Sequence, residues 1–182
     1  MTKKSIFITG SAKGIGKSTA LFFAQKGWFV GLLDIDLNGL NLLAAEIGKD
    51  NCSVHIADVR NPEQLQFAFN EFGKLTNGKL TVLFNNAGVL FPNGFEKVQL
   101  ETHKLVVDVN FIGVLNSTYC ALPMLKETEN SAIVNMCSAG SLFGNPEIVA
   151  YAATKSAVKS LTEGWNMLFK KYGIHVADLL PS

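Results

Sequence analysis

Very little in this 182-residue chain points toward metals, crosslinks or polyanions. Its three cysteines, Cys52, Cys120 and Cys137, are odd in number, far apart and without a C-x-x-C pair. That spacing excludes a disulfide framework, and the thiols read as reduced, buried, small apolar groups of a cytoplasmic protein. The three histidines, His55, His103 and His175, are equally scattered, so no metal site is expected. The formal net charge is only +1, too even a balance to attract nucleic acid or a membrane surface. No stretch approaches eighteen uninterrupted apolar residues, because 105–125 is broken by Asp108, Asn110 and Asn116. The apolar run after Lys3 and Lys4 is too short for a signal peptide and stops at Gly10. Repeats and low-complexity tracts are also missing. With 48% hydrophobic residues, 1–182 is expected to form one soluble domain with a substantial core.

What the chain does have is alternation. Short apolar runs at 5–9, 28–34, 52–57, 80–85, 132–137 and 175–180 read as strands. Segments of helical period at 15–26, 37–47, 62–72, 102–122 and 151–172 lie between them. Strands that are apolar throughout are covered on both faces, so the sheet is predicted to be parallel and doubly wound, with helices on each side. In such a sheet the ligand lies outside the carboxyl ends of the strands. Polar residues punctuate those ends: Thr9-Gly10, Asp34, Asp58, Asn85-Asn86-Ala87-Gly88, Ser138 and Pro181-Ser182.

The first of these ends opens a glycine loop, Thr9-Gly10-Ser11-Ala12-Lys13-Gly14-Ile15-Gly16. Glycines there permit a tight turn and let backbone amides approach a pyrophosphate at a helix N-terminus. The spacing G-x-x-x-G-x-G differs from the commonest dinucleotide fingerprint. Ser11 to Ser18 also comes within one residue of the P-loop pattern G-x-x-x-x-G-K-[ST], with Ser11 in place of its first glycine. A P-loop enzyme needs a carboxylate closing a strand to hold magnesium; Asp34 and Asp58 close the second and third strands, but the fourth and fifth end in asparagines and a serine. Asp34 follows Gly16 by eighteen residues, near the spacing of a carboxylate that binds the adenosine ribose hydroxyls. Its charge would repel a 2′-phosphate, favouring NAD over NADP, although Lys13 partly offsets that repulsion. Asp36 is suited to capping the next helix.

Tyr151 and Lys155 stand four apart in a helical segment and therefore share a face, with Ser138 thirteen residues upstream. A phenol of pKa ~10 is a poor base at neutral pH. A fixed ammonium about 4 Å away favours phenolate by roughly 4 kcal/mol, enough to make it a working general acid/base. A tyrosine and a lysine on a solvated helix face would look the same in sequence.

Together, Thr-Gly-x3-Gly-x-Gly, Asn85-Asn86-Ala87-Gly88, Asn110, Ser138 and Tyr151-x3-Lys155 resemble the short-chain dehydrogenase/reductase family, in order and over essentially the whole sequence. The resemblance implies a Rossmann fold and an NAD(P)-dependent oxidoreductase acting on an alcohol or ketone. It implies that Tyr151 is the general acid/base and that Lys155 holds the nicotinamide ribose and lowers the phenol's pKa. Ser138 would hydrogen-bond the substrate oxygen, and Asn110 would anchor a water that relays protons from Lys155, unless it is simply a buried amide satisfying backbone. Gly10, Ser11, Lys13, Gly14, Ile15, Gly16, Asp34, Asp58, Val59, Asn85, Ala87, Gly88 and Pro181 would complete the cofactor site. Asp58 would meet the adenine amino group, Ile15 the pyrophosphate, and Asn85 the ribose and nicotinamide side. Thr9 and Asn86 suit pinning neighbouring strands.

Family members run to about 250 residues, so a seventh strand and a substrate-covering segment are expected to be missing from this chain. Ser182 stands where the family has a glycine after Pro181. In the last helix, Val158, Leu161, Trp165, Leu168 and Phe169 form a bulky arc beside a small one of Ala153, Ala157, Ser160 and Gly164. Their combined width exceeds the ~100° needed to pack on one sheet, pointing to a homodimer or homotetramer. Two other functions fit the same residues: a regulatory protein that binds a dinucleotide without turnover, and an NAD-dependent epimerase or dehydratase of the related extended type. Phe91, Phe95, Leu142 and Phe143 favour a hydrophobic or mid-sized organic substrate.

Overall fold

A computed structural model describes residues 3–181. Six parallel strands, β1 (Ser5–Thr9), β2 (Phe29–Asp34), β3 (Cys52–Ile56), β4 (Val82–Asn85), β5 (Ala132–Met136) and β6 (His175–Leu179), lie in the order β3-β2-β1-β4-β5-β6. The order reverses between β1 and β4, which makes their carboxyl ends the switch point of the sheet. The expected doubly wound architecture is therefore present. Ser182 falls outside the described residues.

The helices are α1 (Gly14–Gln25), α2 (Leu37–Ile47), α3 (Pro62–Thr76), α4 (Leu100–Val107), α5 (Gly113–Lys126) and α6 (Val149–Phe169). Local chemistry sets several of their ends. Asp36 caps α2 by accepting from the Gly39 amide at 3.0 Å, and Asn61 caps α3 by accepting from Gln64 at 2.9 Å. Pro62 then occupies the first turn of α3, where no amide hydrogen is needed. α3 outruns its predicted end at 72, tolerating Gly73 and stopping where Asn77 adopts a left-handed conformation (φ 55°).

The largest departure from the sequence reading lies between 100 and 126. In place of one regular helix, α4 and α5 are joined by a five-residue π segment, Asp108–Ile112. The combined helix, with mean hydropathy 1.5 over its most apolar window, is long and apolar enough to cross a bilayer. Here its inner face packs on the sheet and α3, burying Val114, Thr118, Ala121 and Leu125.

Two apolar layers sandwich the sheet. One centres on Phe7, Phe69, Phe72, Leu83 and Leu125, with the rings of Phe7 and Phe69 4.3 Å apart. The other joins Ile6, Ile8, Leu32, Leu40 and Leu43 beneath α1 and α2. Cover on this second face is incomplete. Beyond α1 an open apolar groove of ≈ 880 Å³ runs along one face of β4, β5 and β6, lined by Val82, Phe84, Val134 and Leu179.

Candidate active site

The reaction chemistry has to be sought at the switch point, where a cleft of ≈ 620 Å³ opens across the carboxyl edge of the sheet. Its wall combines Gly10, Lys13 and Ile15 from the glycine loop, Asp34 after β2, Asp58 and Val59 after β3, Ala87 and Gly88 after β4, and Tyr151 and Lys155 from α6. Residues 10 and 155 are thus brought together by the topology alone.

At one end, α1 begins with no side-chain cap and no acidic residue in its first turn, so its amides and positive dipole end are free for an anion. Gly14 has φ +58°, and a Cβ there would meet nothing within 4 Å, as a backbone surface kept bare for a ligand requires. Gly16 has the opposite reason: a Cβ would lie 2.2 Å from the Gly10 carbonyl oxygen, so the loop closes only around a hydrogen. Asp34 braces this loop. Its Oδ2 accepts from the Ala12 amide at 3.0 Å and its Oδ1 from the Asp36 amide at 3.1 Å, which fixes the carboxylate at the cleft rim.

At the other end, Lys155 is only 3% exposed, and its Nζ donates to the Met136 carbonyl at 2.6 Å. Burial pulls its pKa down to about 8. Nζ lies 5.6 Å from the centre of the Tyr151 ring, and 3.6 Å from where a Cβ on Gly88 would sit. Asn110, fully buried, accepts from the Val89 amide at 2.8 Å and donates to the Val89 carbonyl at 2.9 Å and to Thr154 Oγ1 at 3.4 Å. Its side chain thus does the backbone-satisfying work of a buried amide. Thr154 in turn donates to the Tyr151 carbonyl at 2.7 Å.

Ser138 follows β5 and does not line the cleft wall proper. Its Oγ accepts from the Gly140 amide at 3.1 Å, which leaves its own proton free to donate. Pro181 enters through its backbone, accepting from the Ala139 amide at 3.0 Å and extending the β5–β6 ladder beside Ser138. Behind the serine, burial and then Asp178 push the Cys137 thiol up to about 11, so it stays protonated and inert.

Two expected cofactor contacts lie elsewhere. Asn85 is turned into the sheet, 2% exposed, donating to Thr118 Oγ1 at 3.0 Å and Asn135 Oδ1 at 2.9 Å. Ser11 is fully buried, its hydroxyl on the Leu33 carbonyl at 3.2 Å. Both hold strands in place rather than facing the cleft. Thr9 and Asn86 do pin strands: Thr9 Oγ1 accepts from the Asn86 and Ala87 amides, and Asn86 Nδ2 donates to the Thr9 and Gly10 carbonyls. Asn86 also reaches the cleft. Sequence reasoning missed Thr154, Ser156 and Arg60. Ser156 ties α6 to the serine loop by donating to the Ser141 carbonyl at 2.8 Å, and Arg60 pairs with Asp58. The small polar residues inside the α6 pattern were the signal for the first two. No group of three or more potential metal ligands occurs among the described residues.

A doubly wound sheet with an uncapped glycine-loop helix, a rim carboxylate and a buried lysine beside a tyrosine defines a dinucleotide-binding oxidoreductase. The family of short chain dehydrogenases matches residues 4–182, and the chain belongs to it: it is an NAD(P)-dependent enzyme acting on CH–OH groups. A cyclohexanol dehydrogenase of Acinetobacter sp. (strain SE19) is 36% identical over 98% of this chain and 72% of its own length. A 3-oxoacyl-[acyl-carrier-protein] reductase of Thermotoga maritima is 34% identical over 98% of the chain and 73% of its own. Among solved structures, a gluconate 5-dehydrogenase of Burkholderia cenocepacia in complex with NADP and tartrate superimposes with TM-score 0.90 at 28% identity, covering all of this chain and 71% of that one.

Proposed function

We propose that the enzyme interconverts a neutral alcohol and its ketone or aldehyde, with Tyr151 moving the proton at the substrate oxygen. The observation that carries the reading is Lys155: a buried cation with one hydrogen-bond partner, beside a tyrosine at the wall of a dinucleotide-sized cleft. When bound, the dinucleotide supplies the redox chemistry at its nicotinamide ring. Lys155 then has donors left for the adjoining ribose hydroxyls and stands beside the ring of Tyr151. Ser138 donates to the substrate oxygen as charge develops there. The uncapped start of α1, with Lys13 and Ile15, receives the pyrophosphate, Asp34 the adenosine ribose, and Asp58 and Val59 the adenine.

The preferred cofactor on this reading is NAD. Asp34, held at the rim by two backbone amides, would meet a 2′-phosphate with like charge. The substrate is hydrophobic or mid-sized, because Phe91, Phe95, Leu142 and Phe143 are all exposed on the loops preceding α4 and α6. A relative named for cyclohexanol is in keeping with that class. A cytoplasmic homodimer or homotetramer accords with three free cysteines and with the outer surface of α6, where Ala153, Ser160 and Gly164 lie exposed near Leu168 and Met167. Val158 and Phe169, from the bulky arc, are taken up by the core instead.

Tyr151→Phe is the test. Turnover of a reactive alcohol should fall by roughly 10²–10⁴-fold, while fluorescence titration with NADH gives a dissociation constant within about twofold of wild type. Near-normal turnover would refute the role of Tyr151. Binding without turnover in the unsubstituted protein across an alcohol and ketone panel would favour a regulatory protein instead.

A further inference from the structure

The carboxylate assigned to adenine is already engaged. Asp58 receives four donor contacts, all from Arg60: the backbone amide to Oδ1 at 2.9 Å, Nε to Oδ1 at 3.0 Å and to Oδ2 at 2.9 Å, and Nη2 to Oδ2 at 2.5 Å. An ionised carboxylate offers about four lone-pair positions, so little acceptor capacity remains. The surrounding backbone is fixed independently. The Asp58 amide donates to Gln64 Oε1 at 2.8 Å, and the Asn61 amide donates to the Asp58 carbonyl at 2.9 Å. Of the four contacts, only the three from the guanidinium are therefore free to exchange. Asp58 and Arg60 both face the cleft, with side chains 26% and 46% exposed. The charge of Asp108, at the start of the π segment, also acts on Arg60.

We propose that Arg60 is a built-in competitor at the adenine end of the cleft: its guanidinium occupies the Asp58 acceptors that a 6-aminopurine needs, and it must turn away before the base is read. The inference rests on the dinucleotide reading of the site and adds a specificity-setting residue to it. The native enzyme then distinguishes adenine from a 6-oxopurine less sharply than a free Asp58 would. The exposed ion pair is weak, so the masking amounts to about two- to fivefold.

The test is a ratio. Fluorescence titrations with NADH and with its reduced hypoxanthine (deamino) analogue give two dissociation constants for the wild type and for Arg60→Gln. Losing the Arg60 charge alters attraction to the shared pyrophosphate equally for both ligands, so the ratio reports Asp58 alone. Arg60→Gln should raise the preference for the adenine dinucleotide about two- to fivefold. In an Asp58→Asn background the same substitution should leave the ratio unchanged. An unaltered ratio in the single variant overturns the proposal, as does a lowered one, which would mean that Arg60 positions Asp58 for the base. A change persisting without Asp58 overturns it too. Failure of either dinucleotide to saturate the wild type would instead sink the reading on which the inference rests.

Discussion

The two ends of the cleft hold charge in opposite ways. At the end proposed to take adenine, Asp58 and Arg60 are a quarter to a half exposed and satisfy one another across a loop. At the reaction end, Lys155 is 3% exposed, Thr154 3% and Asn110 0%. There each polar group is tied to backbone: Lys155 to Met136, Asn110 to Val89, Thr154 to Tyr151. Water makes charges inexpensive to hold and easy to exchange, which suits recognition of a ligand that comes and goes. Burial makes a charge costly but fixes its position, which suits chemistry that tolerates little misplacement.

The strongest way to break this contrast is Lys155→Met. Activity should drop by at least about 10²-fold, the lower range for loss of acid–base assistance. Stability should move the other way. The folded protein holds the Lys155 proton less tightly (pKa about 8) than the unfolded chain, where lysine titrates near ~10.4. The penalty for burying the cation is therefore fully present below pH 8, shrinks as pH rises from 8 toward 10, and disappears above that. It amounts to about 3 kcal/mol, against about 1–3 kcal/mol for leaving the Met136 carbonyl unpaired. Thermal melts should show the variant no less stable than wild type at pH 7 and clearly less stable at pH 10. A difference that ignores pH would mean that Lys155 titrates like a surface lysine.

Gly16→Ala attacks the seam between the two ends, where the glycine loop meets the end of β4 through Asn86. The added methyl would press on the Gly10 carbonyl and on Asn86 Nδ2. We expect a loss of about 1–3 kcal/mol in urea unfolding and weakened NADH binding. Gly14→Ala, whose methyl points into open space, should lose stability only through its positive φ, about 1–2 kcal/mol. Equal unfolding midpoints for the two variants would show that the close approach at Gly16 is relieved cheaply.

Asp34→Ala sharpens the comparison with the smallest change. Removing a charged acceptor of the ribose hydroxyls should weaken NAD binding roughly tenfold, the scale of one hydrogen bond to a charged group, and leave NADP unchanged or improved. An unaltered ratio of kcat/KM for the two cofactors would place the choice elsewhere, with Lys13 the nearest candidate.

Most of the fold was legible because fully apolar strands and polar strand ends report local facts, and the topology follows from parallel pairing. Strand limits from sequence and structure differ by at most two residues, and α2 begins and ends as read. Much of the cleft was legible for the same reason, since ligand-facing residues sit at strand ends. What escaped depended on register or on exchange between neighbours. Asn85 closes a strand and so looks like a site residue, but β4 and β5 align it directly with Asn135, whose Oδ1 accepts from Asn85 Nδ2 while its own Nδ2 donates to Thr162. No local pattern announces that alignment. Arg60 looks like any loop arginine until its four contacts with Asp58 are seen. The π segment escaped because its apolar spacing imitates a regular helix.

That widened turn carries a warning for anyone seeking a sturdier variant. Residue 110 faces Val89 only because the five-residue π segment shifts the helix's phase between α4 and α5. Deleting one residue there to restore uniform winding would rotate everything on one side of the cut by about 100°. The strap across Val89 would open, and one wall of the cleft would be traded for a tidier cylinder.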